Sequence, residues 1–454
     1  MALMLDIPDP AAGDSRLPDL VAAALKGGAD QAEAVLSDRQ ALSVGVRNGA
    51  LEDVERQESR DLSLRVFVGR RQAIVSTSNL SDSTAERLIE RAVAMARLAP
   101  EDPYAGLAEH ETLAVAPFAE LDQYDPAERD ADALEAAARA AENAALAVPG
   151  VSRSEGADAG WSVGRWRLVT SHGVDLFRRR SRFSLGASVI AGGDGAMERS
   201  GDGRTSRHLE DLIAPEALGD DIGQRAAAKV GPRKIPSTTA PVIFENRIAG
   251  QILAPLVGAI SGPAVARGVS FLKDRLGQRV LPGSVCLTDN PFLPRTLGSA
   301  AFDDEGVGTR AMAPVEDGVL TTWLLNTASA SQLGLASTGH AARGGAGPSG
   351  VGLHNGRLST GELDLGGLIR TAGRGLLVTG MFGPSLNPNT GDWSAGVSGF
   401  WFEDGAIAFP VSEVTVAGAL PALYARLVPG SDLEPRGGLD SPSLLIDAVA
   451  IAGK

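Results

Sequence analysis

The sequence predicts an α+β fold in two parts, a first half of mixed helices and strands and a second half that is largely β structure with one principal helix. Three observations lead there. In the first half, apolar residues recur at helical spacing in some segments and alternate with period two in others. Residues 231–239, GPRKIPSTT, are polar and proline-rich as linkers are, which divides the chain into parts 1–231 and 232–454. Beyond residue 268 glycine becomes frequent and the apolar runs shorten to strand length.

Taken in order, Leu17, Leu20, Val21, Ala24 and Leu25 form the apolar face of a helix stopped by Gly27 and Gly28. Residues 32–54 alternate as two strands around a turn, and residues 62–68 and 72–76 fit two more around Gly69. Ser83 and Glu86 have capping-box spacing ahead of apolar positions 85, 88, 89, 92, 93 and 96, which predicts a helix. An alanine-rich helix is expected from Asp125 and Pro126 to just before Pro149. Residues 152–190 return to strands, with Trp161, Trp166, Leu168, Phe177, Phe183 and Leu185 as buried candidates, and Pro215 opens a helix reaching about Val230. In the second part, Ile248, Ile252, Leu253, Leu256, Val257 and Ile260 mark residues 241–268 as the principal helix, with Pro255 interrupting its hydrogen bonding. Short strands are expected at 284–289, 319–325, 375–380, 399–403 and 406–411.

A chain of 454 residues with 44% hydrophobic content can bury a substantial core. Its net charge of −14 weighs against a nucleic-acid partner, whose phosphates repel an acidic surface. The one basic cluster, Arg178, Arg179, Arg180 and Arg182, reads as a solvated strand edge. A single cysteine, Cys286, forms no internal disulfide. The first fifteen residues lack a signal-peptide pattern, and no apolar run reaches the ~20 residues that span a bilayer, so the expected location is cytoplasmic.

Several motifs have simple readings. His110 and Glu111 begin a zincin-like pattern, but Ala114 and Val115 stand where a second histidine is needed. His172, His208, His340 and His354 show no ligand-like spacing, which disfavours a metal site assembled from them. Gly160, Ser162 and Gly164 match GxSxG, yet the residues that follow alternate like a strand rather than opening a helix. Residues 345–350 match GxGxxG without a surrounding strand–helix unit.

The remaining blocks are more specific as a set. After the 241–268 helix come FDDEG at 302–306, VEDGVL at 315–320, STGHA at 337–341 and NTGDWS at 389–394. In order and spacing they resemble the signature blocks of the TldD/PmbA family, also called TldD/TldE or U62 peptidases, and in particular its PmbA (TldE) branch. The similarity extends over nearly the whole chain and is densest after residue 235. It implies an α/β N-terminal domain followed by a β-barrel-like C-terminal domain.

In the TldD branch the corresponding helix carries HExxxH, and a cysteine near the C-terminus completes a metal site. Those helix positions fall here on Ala254, Pro255 and Ala259, none of which can bind a metal or move a proton, and no cysteine follows Cys286. The resemblance therefore implies a subunit with no cofactor of its own. Its partner would be a TldD-like paralogue carrying the metal, expected to be zinc, or a second copy of this chain when that partner is missing. The family cleaves small or unfolded polypeptides, and its signature blocks surround the substrate cavity. On that basis Asp303, Asp304, Glu305, Thr338, Gly339, His340, Asn389, Thr390, Gly391 and Asp392 are the candidate peptide-binding residues. Read without the family, Thr338 to His340 is a flexible polar loop and the three acids are a solvated turn. Two rivals remain: a stand-alone homodimeric regulator, in keeping with the family's older label as a modulator of DNA gyrase, and a hydrolase using Ser162.

Overall fold

Six strands of the first part join one antiparallel sheet: β1 (Gln31–Arg47), β2 (Ala50–Val68), β3 (Arg71–Thr77), β4 (Val151–Thr170), β5 (Asp175–Ala191) and β6 (Glu198–Ser206). Their order is β3-β2-β1-β4-β5-β6. The computed structural model describes residues 16–453 apart from residue 80, residues 194–196 and residues 344–348. Asn48 and Gly49 join β1 to β2 with φ of 52° and 71°, the left-handed pair that a two-residue hairpin turn requires. β2 is one strand where the alternation predicted two. Residues 50–58 are exposed on both faces while still pairing with β1, so no apolar period marks them.

Four helices cover one face of this sheet. α1 (Arg16–Lys26) and α2 (Asp82–Leu98) place Leu17, Leu20, Ala92 and Val93 against Leu64 and Val66. α3 (Ala131–Ala147) and α4 (Pro215–Ala228) place Ala138, Ala141, Ile222 and Ala226 against Leu185 and Val189. The alanine content of α3 has a packing cause: a Cβ on Gly219 of α4 would come 2.1 Å from the Ala141 carbonyl oxygen. Two helix starts differ from the sequence reading. α2 begins after Ser81, not at Ser83. α3 is capped by Asp130, whose carboxylate accepts the Ala133 amide, while Asp125 binds the Ala127 and Leu209 amides and so ties two loops together. Leu168, Phe183 and Leu185 are buried as expected, whereas Trp161 and Trp166 are half-buried and Phe177 is exposed.

The second part opens with β7 (Thr238–Phe244), α5 (Asn246–Ala259) and α6 (Gly262–Ala266). The principal helix is thus shorter than residues 241–268. Residues 238–244 are claimed by strand pairing, and after Ile260 the chain leaves the helix to bridge Ser261 with Leu324. There follow β8 (Leu287–Asp289), β9 (Met312–Glu316), β10 (Val319–Leu320), α7 (Thr327–Leu333), β11 (Ala341–Ala342), β12 (Gly350–Val351), β13 (Gly356–Leu358) and α8 (Leu365–Ala372). The last elements are β14 (Gly375–Leu386), β15 (Asp392–Glu403), β16 (Ala406–Ala419), α9 (Leu420–Tyr424), β17 (Leu427–Pro429), β18 (Leu439–Asp440) and β19 (Leu444–Ala452).

Strands β16, β15, β14, β7 and β19 form a closed ring, because β16 pairs with β19 as well as with β15. The expected fold class, α/β structure followed by a barrel-like sheet, therefore holds. Ile252, Leu253 and Leu256 of α5 share one core with Val242, Phe244, Leu376, Val397 and Ile446, while α8 packs Leu368 on the alternate residues Ile243, Leu377 and Leu445. Pro255 sits inside α5 and offers no amide to the preceding turn, and the Tyr424 hydroxyl donates to the Ile252 carbonyl at 2.7 Å.

The face of the large sheet opposite its helices meets the second part. At one end Val35, Leu168 and Leu176 pack on Phe302. There too, buried Glu33 accepts from Arg343 of the second part at 2.6 Å and from Arg65 at 3.4 Å. At the other end the face stands clear of the barrel and leaves a cavity.

Candidate functional site: an interdomain cavity

The cavity measures about 1110 Å³ and lies between the sheet, the first turns of α5 and the outer half of β14. Its floor is made of small residues. Gly156 and Asp158 of β4 stand opposite Ser188 and Gly186 of β5, and Gly201 and Gly203 of β6 continue both rows. Directly paired residues share a face, so these side chains, where there are any, point the same way. Leu185 and Ala187, one residue out of step, belong to the core under α3 and α4.

Opposite the floor, Ile248 and Gln251 of α5 line the cavity. Ala254 and Pro255 follow Gln251 by three and four residues and so continue that side of the helix, while Ala259 is buried. No side chain at these three positions can ligate a metal or act as a base. Charged groups hold α5 in place. Glu245, just before its first turn, accepts from Arg225 at 2.6 Å and Arg247 at 3.3 Å, and Asp202 of β6 accepts from Arg204, Arg247 and Arg436 at 3.0 to 3.2 Å.

Two strand edges border the cavity. Among the described residues, β14 pairs with β7 only at Leu376, Leu377 and Val378, so from Thr379 onward its second side is unpaired, and β6 pairs with β5 alone. Thr379 is buried and lines the cavity, and its hydroxyl has no hydrogen-bond partner among the described residues.

The candidate residues named from the sequence lie elsewhere. Asp303, Asp304, Glu305, Thr338, Gly339, His340, Asn389, Thr390, Gly391 and Asp392 are all absent from the cavity lining. The solvated-turn reading of the acids does not hold. Asp303 is buried and accepts the Glu305, Val307 and Ala341 amides at 2.9 to 3.0 Å. Burial first, and then the neighbouring Glu305 carboxylate, push its acid up to about 8. Glu305 accepts the Thr327 amide at the start of α7, and Asp304 pairs with Arg178. Nor is Thr338 to His340 a flexible loop: both side chains are buried, with His340 Nδ1 2.9 Å from Thr338 Oγ1. Asn389, Thr390 and Asp392 are exposed on a turn in which the Thr390 hydroxyl donates to Asp392, while Gly391 between them is buried against Pro421.

The structure also assembles a cluster that spacing concealed. His340 Nε2 and His354 Nδ1 lie 3.0 and 2.9 Å from the same Oδ2 of Asp289, and the three ligand atoms fall within 4.8 Å of one another. Two imidazoles and a carboxylate could hold a divalent ion. Yet that oxygen also accepts the His354 amide, and Oδ1 accepts the Asn355 amide, so the carboxylate is satisfied by protein donors alone. Although burial opposes ionisation, hydrogen bonds from both histidines hold the Asp289 acid well below its ordinary range, while burial lowers His340. A neutral His340 donating to a charged Asp289 accounts for both shifts.

Ser162 lies mid-strand, paired with Ala41 and Arg182, so the strand–helix elbow its motif needs is missing. His110 and Glu111 belong to a short 3₁₀ turn whose histidine stacks on His172. The GxGxxG match falls largely on residues outside the described set, as do the first fifteen residues. The arginine cluster does lie on a strand edge, for β6 pairs with β5 only from Phe183 onward, but Arg178, Arg179 and Arg180 are half-buried there rather than solvated. Arg178 lies 4.0 Å over Trp166, Arg179 lies 3.6 Å over Tyr124, Arg180 donates to the Ser299 carbonyl, and Arg182 lines the cavity. The floor residues themselves escaped sequence reading. Their signal was small residues at alternating positions on three neighbouring strands, visible only once register is known.

Residues 32–96, 122–230 and 237–453 match, in turn, domain 1, the central domain and the C-terminal domain of the PmbA/TldA metallopeptidases. The Escherichia coli O157:H7 metalloprotease PmbA is 37% identical over 444 residues, 96% of each chain. A Bacteroides thetaiotaomicron protein described as a modulator of DNA gyrase has a structure that superposes with a TM-score of 0.90 at 27% identity, covering 97% of this chain and 98% of that one. TldE from Thermococcus kodakarensis superposes with a TM-score of 0.86 over 96% of this chain and 100% of its own, and at 21% identity it bears on the fold alone. No helix among the described residues is long and apolar enough to cross a membrane.

Proposed function

The chain belongs to the PmbA/TldD metallopeptidase family, and within that family we propose that it is the non-catalytic, PmbA/TldE-type subunit of a cytoplasmic two-subunit peptidase. One observation carries this reading. The side of α5 that runs on from the cavity presents Ala254 and Pro255, with Ala259 buried behind them, so the helix that would bear metal ligands and base bears neither. Metal, general base and third ligand would come from a TldD-like partner, with zinc as the expected ion.

This chain's contribution is to hold the substrate. An extended peptide entering the cavity meets main-chain donors and acceptors along the free sides of β6 and β14. Strand addition recognises backbone and so tolerates many sequences, which suits the cleavage of unfolded polypeptides. The small floor residues leave room for the peptide's side chains.

The test is turnover of an unstructured peptide by the isolated chain, by a TldD-like partner, and by the two together with and without chelator. Cleavage is expected from the mixture and lost on chelation. Cleavage by the isolated chain overturns the reading. If that cleavage resists chelator and disappears in Ser162→Ala, the serine hydrolase takes its place.

A further inference from the structure

Asp158 stands apart from every other charged group around the cavity. It lies on the floor, between Gly45 of β1 and Gly186 of β5. Its carboxylate leans over β5, where a Cβ on Gly186 would come 3.0 Å from Oδ1. With glycine on both sides, nothing shields the carboxylate from the cavity. Among the described residues it has neither a hydrogen-bond nor an ion-pair partner.

The cations that line the cavity are engaged elsewhere. Arg199 pairs with Glu155, Arg204 and Arg247 pair with Asp202, and the Lys229 ammonium donates to the Arg199 carbonyl. Arg182 stands four residues along β5 from Gly186, and its guanidinium donates to the Thr205 hydroxyl of β6, two strands across from Asp158. Asp53 stands in the same row, two strands away across Gly45, and adds to the negative field, while the Glu155 carboxylate accepts from Ser188 and pairs with Arg199. Asp158 is exposed to the cavity, and partial desolvation in the cleft raises its acid above the ordinary range. On the facing wall, the buried Thr379 hydroxyl also lacks a partner.

We propose that Asp158 selects substrate: the cavity favours peptides that place a cationic amine, either a lysine or arginine side chain or a free N-terminal amine, on the floor between Gly45 and Gly186. This rests on the peptide-holding role proposed above and gives it a substrate class. A charge-assisted hydrogen bond in a partly enclosed site favours the cationic peptide by roughly tenfold.

The experiment measures binding of three unstructured peptides to the full chain, alone and with a TldD-like partner. One is N-acetylated and carries norleucine throughout, one is N-acetylated with a single lysine, and one has a free N-terminus with norleucine. Wild-type protein is expected to prefer one or both cationic peptides over the neutral one by about tenfold. The ratio should fall to about one in Asp158→Asn and return in Asp158→Glu. A preference for the second peptide identifies a side chain and for the third an N-terminus. Equal affinities in the wild type, or a preference that survives Asp158→Asn, overturn the assignment while leaving the peptide-holding role intact. If none of the three binds in either state, the peptide-holding role fails and takes this inference with it.

Discussion

Replacing Arg343 with methionine should loosen the first part of the chain from the second. Arg343 reaches across the boundary to Glu33 at 2.6 Å, and the side chains are only 6% and 3% exposed. Methionine keeps most of the aliphatic stem and removes the charge, leaving Glu33 with Arg65 at 3.4 Å as its remaining cation. Removing one partner of a buried ion pair typically costs about 3–5 kcal/mol, because the other charge stays desolvated. Arg343 also donates to the Asp304 carbonyl at 2.9 Å, a bond that is lost with it. The assay is urea unfolding of Arg343→Met, Glu33→Gln and the double variant, analysed as a cycle. Burial alone would raise the Glu33 acid, but Arg343 and Arg65 outweigh it and hold it low. The stabilisation is therefore present above about pH 4.5, the ordinary value, and fades as pH falls through the depressed one, where wild type and variant should converge. A loss under about 1 kcal/mol for Arg343→Met, or single effects that sum to the double within about 0.5 kcal/mol, would refute the argument.

Three further outcomes are expected. Gly298→Ala would set a Cβ 1.6 Å from the His354 carbonyl oxygen, so backbone must move and the urea midpoint should drop by an equivalent of about 3 kcal/mol or more, whereas Gly258→Ala, on an exposed turn of α5 with nothing within 4 Å, should gain about 0.5–1 kcal/mol. His340→Ala should destabilise the fold by removing a donor to buried Asp289, and elemental analysis of the wild-type chain should find no stoichiometric transition metal; one zinc per chain, lost in this variant and in His354→Ala, would instead make the cluster a metal centre. Because the Asp303 acid is raised to about 8 in the fold from an ordinary 3.8, the native state keeps a proton that the unfolded chain has shed, so stability falls as pH rises between those values. Glu305→Gln removes the second cause of that rise, and its urea midpoint should change less between pH 5 and pH 8 than the wild type's; an equal change would assign the dependence to other groups.

The sequence disclosed most where burial is one-sided. α1 emerges from its apolar period, α4 from its opening Pro215, and the paired strands 151–170 and 175–191 from alternation, because each hides one face in a core. It failed where a residue's environment is set by distant chain. Residues 51–61 pair in a solvated ribbon and leave no apolar trace. Asp303 and His340 look like surface loop residues until β11 and the 302–308 turn enclose them. That Ala254, Pro255 and Ala259 carry no side chain able to ligate a metal was legible because it needed only residue identity. The cavity was not, since its floor is defined by which glycines of β4, β5 and β6 fall in register.

The ring of strands in the second part also has a timetable. β7 lies between β14 and β19, and Phe244 is paired with Leu444, about 200 residues further along the chain. At roughly 5–20 residues per second of synthesis, one side of β7 waits about 10 to 40 s for its neighbour to be made. During that interval Ile252, Leu253 and Leu256 of α5 lack the wall that will cover them. The sheet of the first part, complete by Ser206, can form long before. A nascent chain paused after β16 should therefore carry a protease-resistant first part joined to an open, chaperone-binding second part, and resistance of the second part should appear only when residues 444–452 have left the ribosome.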